Sequence, residues 1–201
     1  MNVNHWILLG YWSLFSLLHH GMATEIFKAR CRSVMGTGFK YYRLLYSLIA
    51  IISLSFVLIW QFSISSPDLG ISTWLKYLVG LPVGILGIFM MGASIRKYFF
   101  NLSGIGILFY DNSSGSLEFH GLNKYVRHPL YLGTIFFIWS IFILVPLLSN
   151  LIASAVITIY IMVGIQFEER KLMLIFGQAY DSYRRKTPKL LPNLRFPRIL
   201  K

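Results

Sequence analysis

The chain has 201 residues, 56% of them hydrophobic, with a net charge of +12 and a single cysteine. That residue, Cys31, excludes an intramolecular disulfide framework and a multi-cysteine metal site. The apolar residues gather in near-continuous runs of about 17 to 20, the length that crosses a hydrocarbon core of about 30 Å. The sequence therefore predicts an integral membrane protein, with runs at 6–21, 44–62, 75–94, 130–148 and 151–167. The expected fold is all-α, a polytopic membrane helical bundle of about five transmembrane helices whose last two form a helical hairpin.

The placement of the charges excludes nucleic acid as the reason for them. Of the 19 Lys and Arg residues, 18 fall in 22–43, in 96–128 or after 168, and only Lys76 stands apart. The 63–74 loop holds Asp68 and no basic residue. By the positive-inside rule the N-terminus lies outside and the C-terminus in the cytoplasm. The basic excess then follows topology and favours contact with anionic lipid.

The start of the chain (Met1 to Trp6) lacks a basic n-region and a small-residue cleavage site, so the first run is expected to remain as a helix. It ends at His19-His20-Gly21. Adjacent helical residues point about 100° apart, and no third ligand is near, so these histidines read as interfacial polar groups and no metal is expected. Residues 22–43 read as a basic loop with Lys28, Arg30, Arg32, Lys40 and Arg43, broken by Gly36 and Gly38. The second run is uncharged scaffold. The third carries Gly80, Gly84, Gly87 and Gly92, with Pro82 near its start, and small residues at such spacings let helices approach closely in lipid. Residues 98–125 read as a cytoplasmic connection, which would silence the glycosylation sequon Asn112-Ser113-Ser114. One integral-membrane domain is expected over 1–201, with 1–95 as a three-helix scaffold and 96–201 carrying the site.

The site is expected at the foot of the hairpin. Two apolar runs joined at Ser149-Asn150 must lie antiparallel. Tyr131 and Glu168 are each about 18 to 19 residues from that turn, so at roughly 1.5 Å per residue they share one depth. Arg127-His128-Pro129-x-Tyr131-x-Gly133 thus meets Glu168-Glu169. Pro129 suits the first turn of a helix, and the amides of Leu130 and Tyr131 are then left to bind a carboxylate or phosphate. Arg127 and His128 reinforce the positive potential, and Gly133 leaves space one turn further in. Carboxylates at a membrane boundary need partners. Arg127 is the intramolecular candidate for Glu168 or Glu169, and a ligand ammonium or ribose hydroxyl is the other. Beyond them, Leu172, Phe176, Ala179 and Tyr183 keep one helical face apolar, Gly177 offers a bend, and the tail from Leu190 to Arg198 suits the membrane surface.

Arg127-His128-Pro129-x-Tyr131-x-Gly133, then Glu168-Glu169-x-x-Leu172-x-x-x-Phe176-Gly177-x-x-Tyr180-x-x-Tyr183 and Pro188, resembles the C-terminal signature of integral-membrane S-adenosylmethionine-dependent methyltransferases. That group includes isoprenylcysteine carboxyl methyltransferases, phospholipid methyltransferases and the NnrU, nurim and methanethiol S-methyltransferase branch. The N-terminal part is similar to the NnrU and methanethiol branch, more weakly. The resemblance implies S-adenosyl-L-methionine as cofactor, framed by His128, Pro129, Leu130, Tyr131 and Gly133 and bound by Glu168 and Glu169. Arg127, His128 and Glu168 would then be the catalytic residues, acting on a lipophilic or small-molecule methyl acceptor in or near the bilayer. Membrane sterol reductases are similar in the first element but normally lack the glutamate pair. An NADPH-dependent reductase and a non-catalytic membrane protein are the alternatives.

Overall fold

The computed structural model describes residues 1–103 and 119–192, of which 97–103 by backbone alone. The sequon at 112–114 and the end of the tail lie outside the described residues. Among these, regular structure is entirely helical: α1 (Val3–Ala23), α2 (Glu25–Met35), α3 (Tyr42–Ser63), α4 (Leu81–Ser103), α5 (Pro129–Leu144) and α6 (Leu148–Lys186). Three stretches are long and apolar enough to cross a membrane: Glu25–Ser63, Thr73–Arg96 and Leu148–Lys186. The apolar α5 is shorter, at 16 residues. In α1 the polar side chains turn inward, with His5 and Ser16 buried beside Leu8 and Trp12.

The basic loop of the sequence reading is itself helical. Thr24 accepts the Phe27 amide at 3.3 Å as the N-cap of α2. Gly36, at φ +52°, ends that helix, and a 3₁₀ segment, Gly36–Tyr41, leads into α3. None of α2 is buried. Before α4, a short helical turn, Thr73–Leu75, passes through a π-helical segment, Lys76–Gly80. Pro82 follows, and its missing N–H accounts for this local rewinding. The helix then runs to Ser103, so 98–103 are helical rather than a connecting loop.

The hairpin turn lies earlier than the sequence suggested. α5 ends at Leu144 and the chain turns over Val145, Pro146 and Leu147, while Ser149 and Asn150 are buried in the first turn of α6. Proline supplies the break, because it cannot continue the helix. The two polar residues tie the turn down: Asn150 Nδ2 donates to the Val145 carbonyl at 2.8 Å, and Ser66 Oγ accepts the Ser149 amide at 2.9 Å. The 64–72 loop closes over the same end, with Leu69 N–H donating to the Pro146 carbonyl and Leu148 N–H to the Pro67 carbonyl.

α4 and α5 pack most closely. A Cβ on Gly87 would stand 2.7 Å from the Phe137 amide nitrogen and 2.9 Å from the Gly133 carbonyl, and one on Gly133 would stand 2.9 Å from the Met90 Cβ. Gly80 and Gly84 meet Ile143 and Ser140 in the same way, whereas Gly92 faces open space. Three of the four glycines thus serve helix packing, as their spacing predicts. α1 and α3 pack on the other side of α6 around Leu8, Trp12, Val57, Ile152 and Ala153. The long α6 therefore lies between two helix pairs, and it continues past the membrane run to Lys186 with a bend at Gly177, at φ +50°.

Candidate active site

At the end of the bundle away from the hairpin turn, α5 begins and α6 leaves its apolar run. Pro129 occupies the first position of α5. The first intrahelical bond runs from the Leu132 amide to the His128 carbonyl at 3.0 Å, leaving the amides of Leu130 and Tyr131 without an intrahelical acceptor. His128 is buried at this entrance, and its ring stacks on Tyr131 with centroids 5.6 Å apart.

Across from it stand the two glutamates, and their environments differ. The Glu169 side chain is 11% exposed. It accepts Arg127 Nε at 2.9 Å and Nη2 at 2.6 Å, lies 3.2 Å from His128 Nε2, and has Lys189 Nζ 3.6 Å away. The Glu168 side chain is 43% exposed, lies 3.8 Å from His128 Nδ1 and is within electrostatic reach of the Tyr131 hydroxyl. One carboxylate is paired with a guanidinium and enclosed; the other has no Arg or Lys partner among the described residues and remains accessible.

Arg127 therefore partners Glu169, as a membrane-edge carboxylate requires. Its Nη1 also donates to the carbonyls of Arg184, at 2.8 Å, and Thr187, at 2.7 Å. Four donors are thus committed within the chain, which makes Arg127 a clamp between the α5 entrance and the end of α6. The segment after α6 returns along the same edge, where the Arg127 and His128 amides donate to the carbonyls of Pro188 and Lys189. Sequence reasoning missed Thr187 and Lys189, since nothing in their local pattern marks a return to residue 127.

Of the expected site residues, Arg127, His128, Tyr131, Glu168 and Glu169 are brought together. Leu130 contributes its amide, and Pro129 sets the helix start. Gly133 lies elsewhere: the space at its Cα is filled by Met90, Met91 and Gly87 of α4, so it holds two helices together instead of framing this cluster.

A cleft of about 420 Å³ opens between the end of α4 and the turn that precedes α5, lined by Ala93, Ser94 and residues 120–125. Ligand sites commonly measure roughly 300–1,000 Å³. Ser94 Oγ and the Tyr180 hydroxyl are buried without a hydrogen-bond partner among the described residues. The Tyr183 hydroxyl, by contrast, secures the turn by donating to the Asn123 carbonyl at 2.6 Å.

Residues 7–195 match the family model of NnrU protein. The chain is 32% identical over 195 residues to methanethiol S-methyltransferase of Crocosphaera subtropica, covering 92% of this chain and 73% of that one. It is 35% identical over 196 residues to methanethiol S-methyltransferase 2 of Bradyrhizobium diazoefficiens, covering 90% and 71%. A shorter match, 37% over 84 residues and 40% of this chain, joins it to protein-S-isoprenylcysteine O-methyltransferase of Schizosaccharomyces pombe, of which it covers 35%. No solved structure matches the chain. The fold and these relatives define a helical membrane methyltransferase. The chain belongs to the NnrU family.

Proposed function

We propose that this protein transfers a methyl group from S-adenosylmethionine to a small thiol, at a site facing the cytoplasm. The observation that carries the reading is the paired environment of Glu168 and Glu169 at the amide-presenting start of α5. The residues present fit the cofactor. A zwitterionic amino-acid end needs donors for its carboxylate and an acceptor for its ammonium, and the Leu130 and Tyr131 amides and Glu168 offer both. Ser94 Oγ, without a partner among the described residues, lines a cleft of suitable size between the end of α4 and the turn before α5, and an unpaired buried hydroxyl is a standing cost that a polar ligand group removes.

When bound, S-adenosylmethionine supplies an electrophilic methyl on a sulfonium. The chain supplies position and dryness. Arg127 fixes Glu169, Glu169 orients His128, and His128 lies beside Glu168, so the accessible carboxylate stands at the end of a fixed chain of side chains. A thiol must lose its proton to attack, and Glu168 is the accessible group placed to receive it. Alignment of reacting atoms can lower such barriers by up to about 7–11 kcal/mol. The relatives aligned over most of this chain are named for methanethiol, which supports a small thiol. A carboxylate acceptor, as in the name of the partial match, would meet the like charge of Glu168.

The cytoplasmic orientation rests on charge. The site end carries Lys28, Arg30, Arg32, Lys40, Arg43, Arg170 and Lys171, whereas the loop over the hairpin turn holds Asp68 and no basic residue. Calorimetric titration of the purified protein with S-adenosylmethionine and with NADPH tests the reading, followed by a labelled-methyl assay with methanethiol. Saturable binding of the first and label in the thioether are expected. Binding of NADPH instead would transfer the site to a reductase, and binding of neither would remove the enzymatic reading.

A further inference from the structure

The cluster at the foot of the hairpin has a second wall that the methyl-donor site leaves unused. α1 and α3 flank α6 on one side and α5 on the other, and between them one face of α6 presents Tyr160, Gly164 and Glu168. At a spacing of four residues these three lie in line, one turn apart. A Cβ built on Gly164 would meet nothing within 4 Å. The middle of this row is open space, with a phenol above it and the accessible carboxylate below.

The sides of the row are aromatic and polar. His19 of α1 lies 2.6 Å through Nε2 from the Tyr46 hydroxyl of α3. Its ring stacks on Phe15 at 5.7 Å and stands edge-on to Tyr160 at 5.9 Å. On the opposite side, Tyr131 of α5 is within electrostatic reach of both Tyr160 and Tyr46 as well as Glu168. Three helices thus bring His19, Tyr46 and Tyr160 together beside this row, with Tyr131 of the fourth within electrostatic reach. His20, the adjacent histidine, turns away to Phe167, so the two histidines do not act together.

We propose that this groove, floored by Gly164 and walled by Tyr160, Tyr131 and the His19–Tyr46 pair, is the binding site of the methyl acceptor. It would take a small, weakly polar thiol that enters from the bilayer and presents its S–H to Glu168. The inference rests on the methyltransferase reading above. Aromatic faces suit a polarisable sulfur, and the absence of a side chain at 164 limits the occupant to a few heavy atoms. In the transfer, the bond from the sulfonium sulfur to the methyl breaks and its electron pair stays with that sulfur. The acceptor sulfur forms the new bond to carbon and gives its proton to Glu168. His19, Tyr46 and Tyr160 line the acceptor and take no part in the bond changes.

Steady-state methylation of methanethiol, with S-adenosylmethionine affinity measured in parallel, tests the groove. Gly164→Leu sets its Cβ where nothing lies within 4 Å and projects the rest of the side chain into the gap, and it is expected to raise the KM for methanethiol at least about tenfold. Tyr160→Leu should act in the same direction, and Tyr160→Phe should restore most of the affinity. In all three the Kd for S-adenosylmethionine should stay within about twofold of the parent value. Unchanged methanethiol KM in both Gly164→Leu and Tyr160→Leu overturns the groove and leaves the methyltransferase reading intact. A parent protein that binds no S-adenosylmethionine, or does not methylate methanethiol, removes both.

Discussion

Arg127 grips a single oxygen of Glu169 with two donors, Nε at 2.9 Å and Nη2 at 2.6 Å, although 42 residues separate them in the chain. The guanidinium is 7% exposed and the carboxylate 11%, so water contributes little to either. Desolvation of such a pair can rival its attraction, and the pair is therefore weak evidence for net stability. Breaking it is a different matter, because an enclosed carboxylate then loses its two shortest bonds and keeps only Lys189 at 3.6 Å and His128 at 3.2 Å. Arg127→Met is expected to destabilise the protein by about 3–5 kcal/mol. Arg127→Lys should not rescue it, since an ammonium cannot span Glu169 and the carbonyls of Arg184 and Thr187 together. Denaturant unfolding in detergent is the measurement, and a loss below about 1 kcal/mol in both variants would contradict the clamp.

The two glutamates should separate in their effects. Glu168 has an exposed carboxylate and no cationic partner among the described residues other than a protonated His128. Glu168→Gln is expected to leave the unfolding midpoint unchanged while weakening S-adenosylmethionine binding and lowering kcat/KM by about a hundredfold or more, the size typical of losing a positioned acid–base group. Glu169→Gln should instead lower thermal stability, because Arg127 and Lys189 then face a neutral amide. Calorimetry for affinity, beside thermal unfolding for stability, reads both. Equal Tm losses in the two variants would remove the division of labour.

That division was only half legible in the sequence. The shared depth of Tyr131 and Glu168 follows from helix rise and the length of the apolar runs, and the structure keeps it even though the turn falls at Val145–Leu147 instead of Ser149-Asn150. Moving the turn toward α5 shortens one arm and lengthens the other, so equal rise alone does not bring the two ends level; the contacts of His128 with both glutamates establish that they meet. Which glutamate takes Arg127 does not follow from rise, because it depends on the rotation of α6 about its own axis. The role of Gly133 was misread for a related reason: its spacing from Pro129 fixes a helical face but not what lies against that face, and α4 fills it. The return of Thr187 to Lys189 along residues 127–128, and the reach of His19 to Tyr46, are tertiary pairings without a local pattern.

Helix packing gives a contrast between glycines of one helix. Gly87→Ala brings a methyl to within 2.7 Å of the Phe137 backbone nitrogen, where no side-chain rotation relieves it. α4 and α5 must then move apart, at about 1–3 kcal/mol by the usual cost of overpacking. Gly92→Ala meets nothing within 4 Å, and the gain in helix propensity should stabilise by roughly 0.5–1 kcal/mol. Opposite signs of the two changes in Tm are the expected outcome. Because Gly87 touches the segment of α5 that begins at Gly133, five residues after His128, its variant should also lower affinity for S-adenosylmethionine, whereas Gly92→Ala should not.

At the far end of the bundle a buried polar chain closes the hairpin. Trp12 Nε1 donates to Gln61 Oε1 at 2.8 Å, Gln61 Nε2 to Asn150 Oδ1 at 2.8 Å, and Asn150 Nδ2 to the Val145 carbonyl at 2.8 Å. One amide therefore joins α1, α3 and α6 just where the chain reverses. Gln61→Leu is close in size and removes both central bonds, leaving the Trp12 indole N–H and one Asn150 lone pair without a partner. Hydrogen bonds between membrane helices average only about 0.6 kcal/mol, but an orphaned buried group costs about 1–3 kcal/mol. The second effect dominates here, since Gln61 and Asn150 are 6% and 4% exposed and water cannot replace the lost partner. A destabilisation of about 2 kcal/mol is expected, between the value for two lost bonds and that for two orphans. Turnover per folded molecule should not change, because this network lies at the hairpin end of α6, away from Glu168 near the middle of that helix. Unfolding in detergent combined with a labelled-methyl assay at a temperature well below the midpoint measures both quantities. A variant with parental stability would show the amide chain to be incidental, and one with parental stability but reduced turnover would tie this end of the bundle to the chemistry.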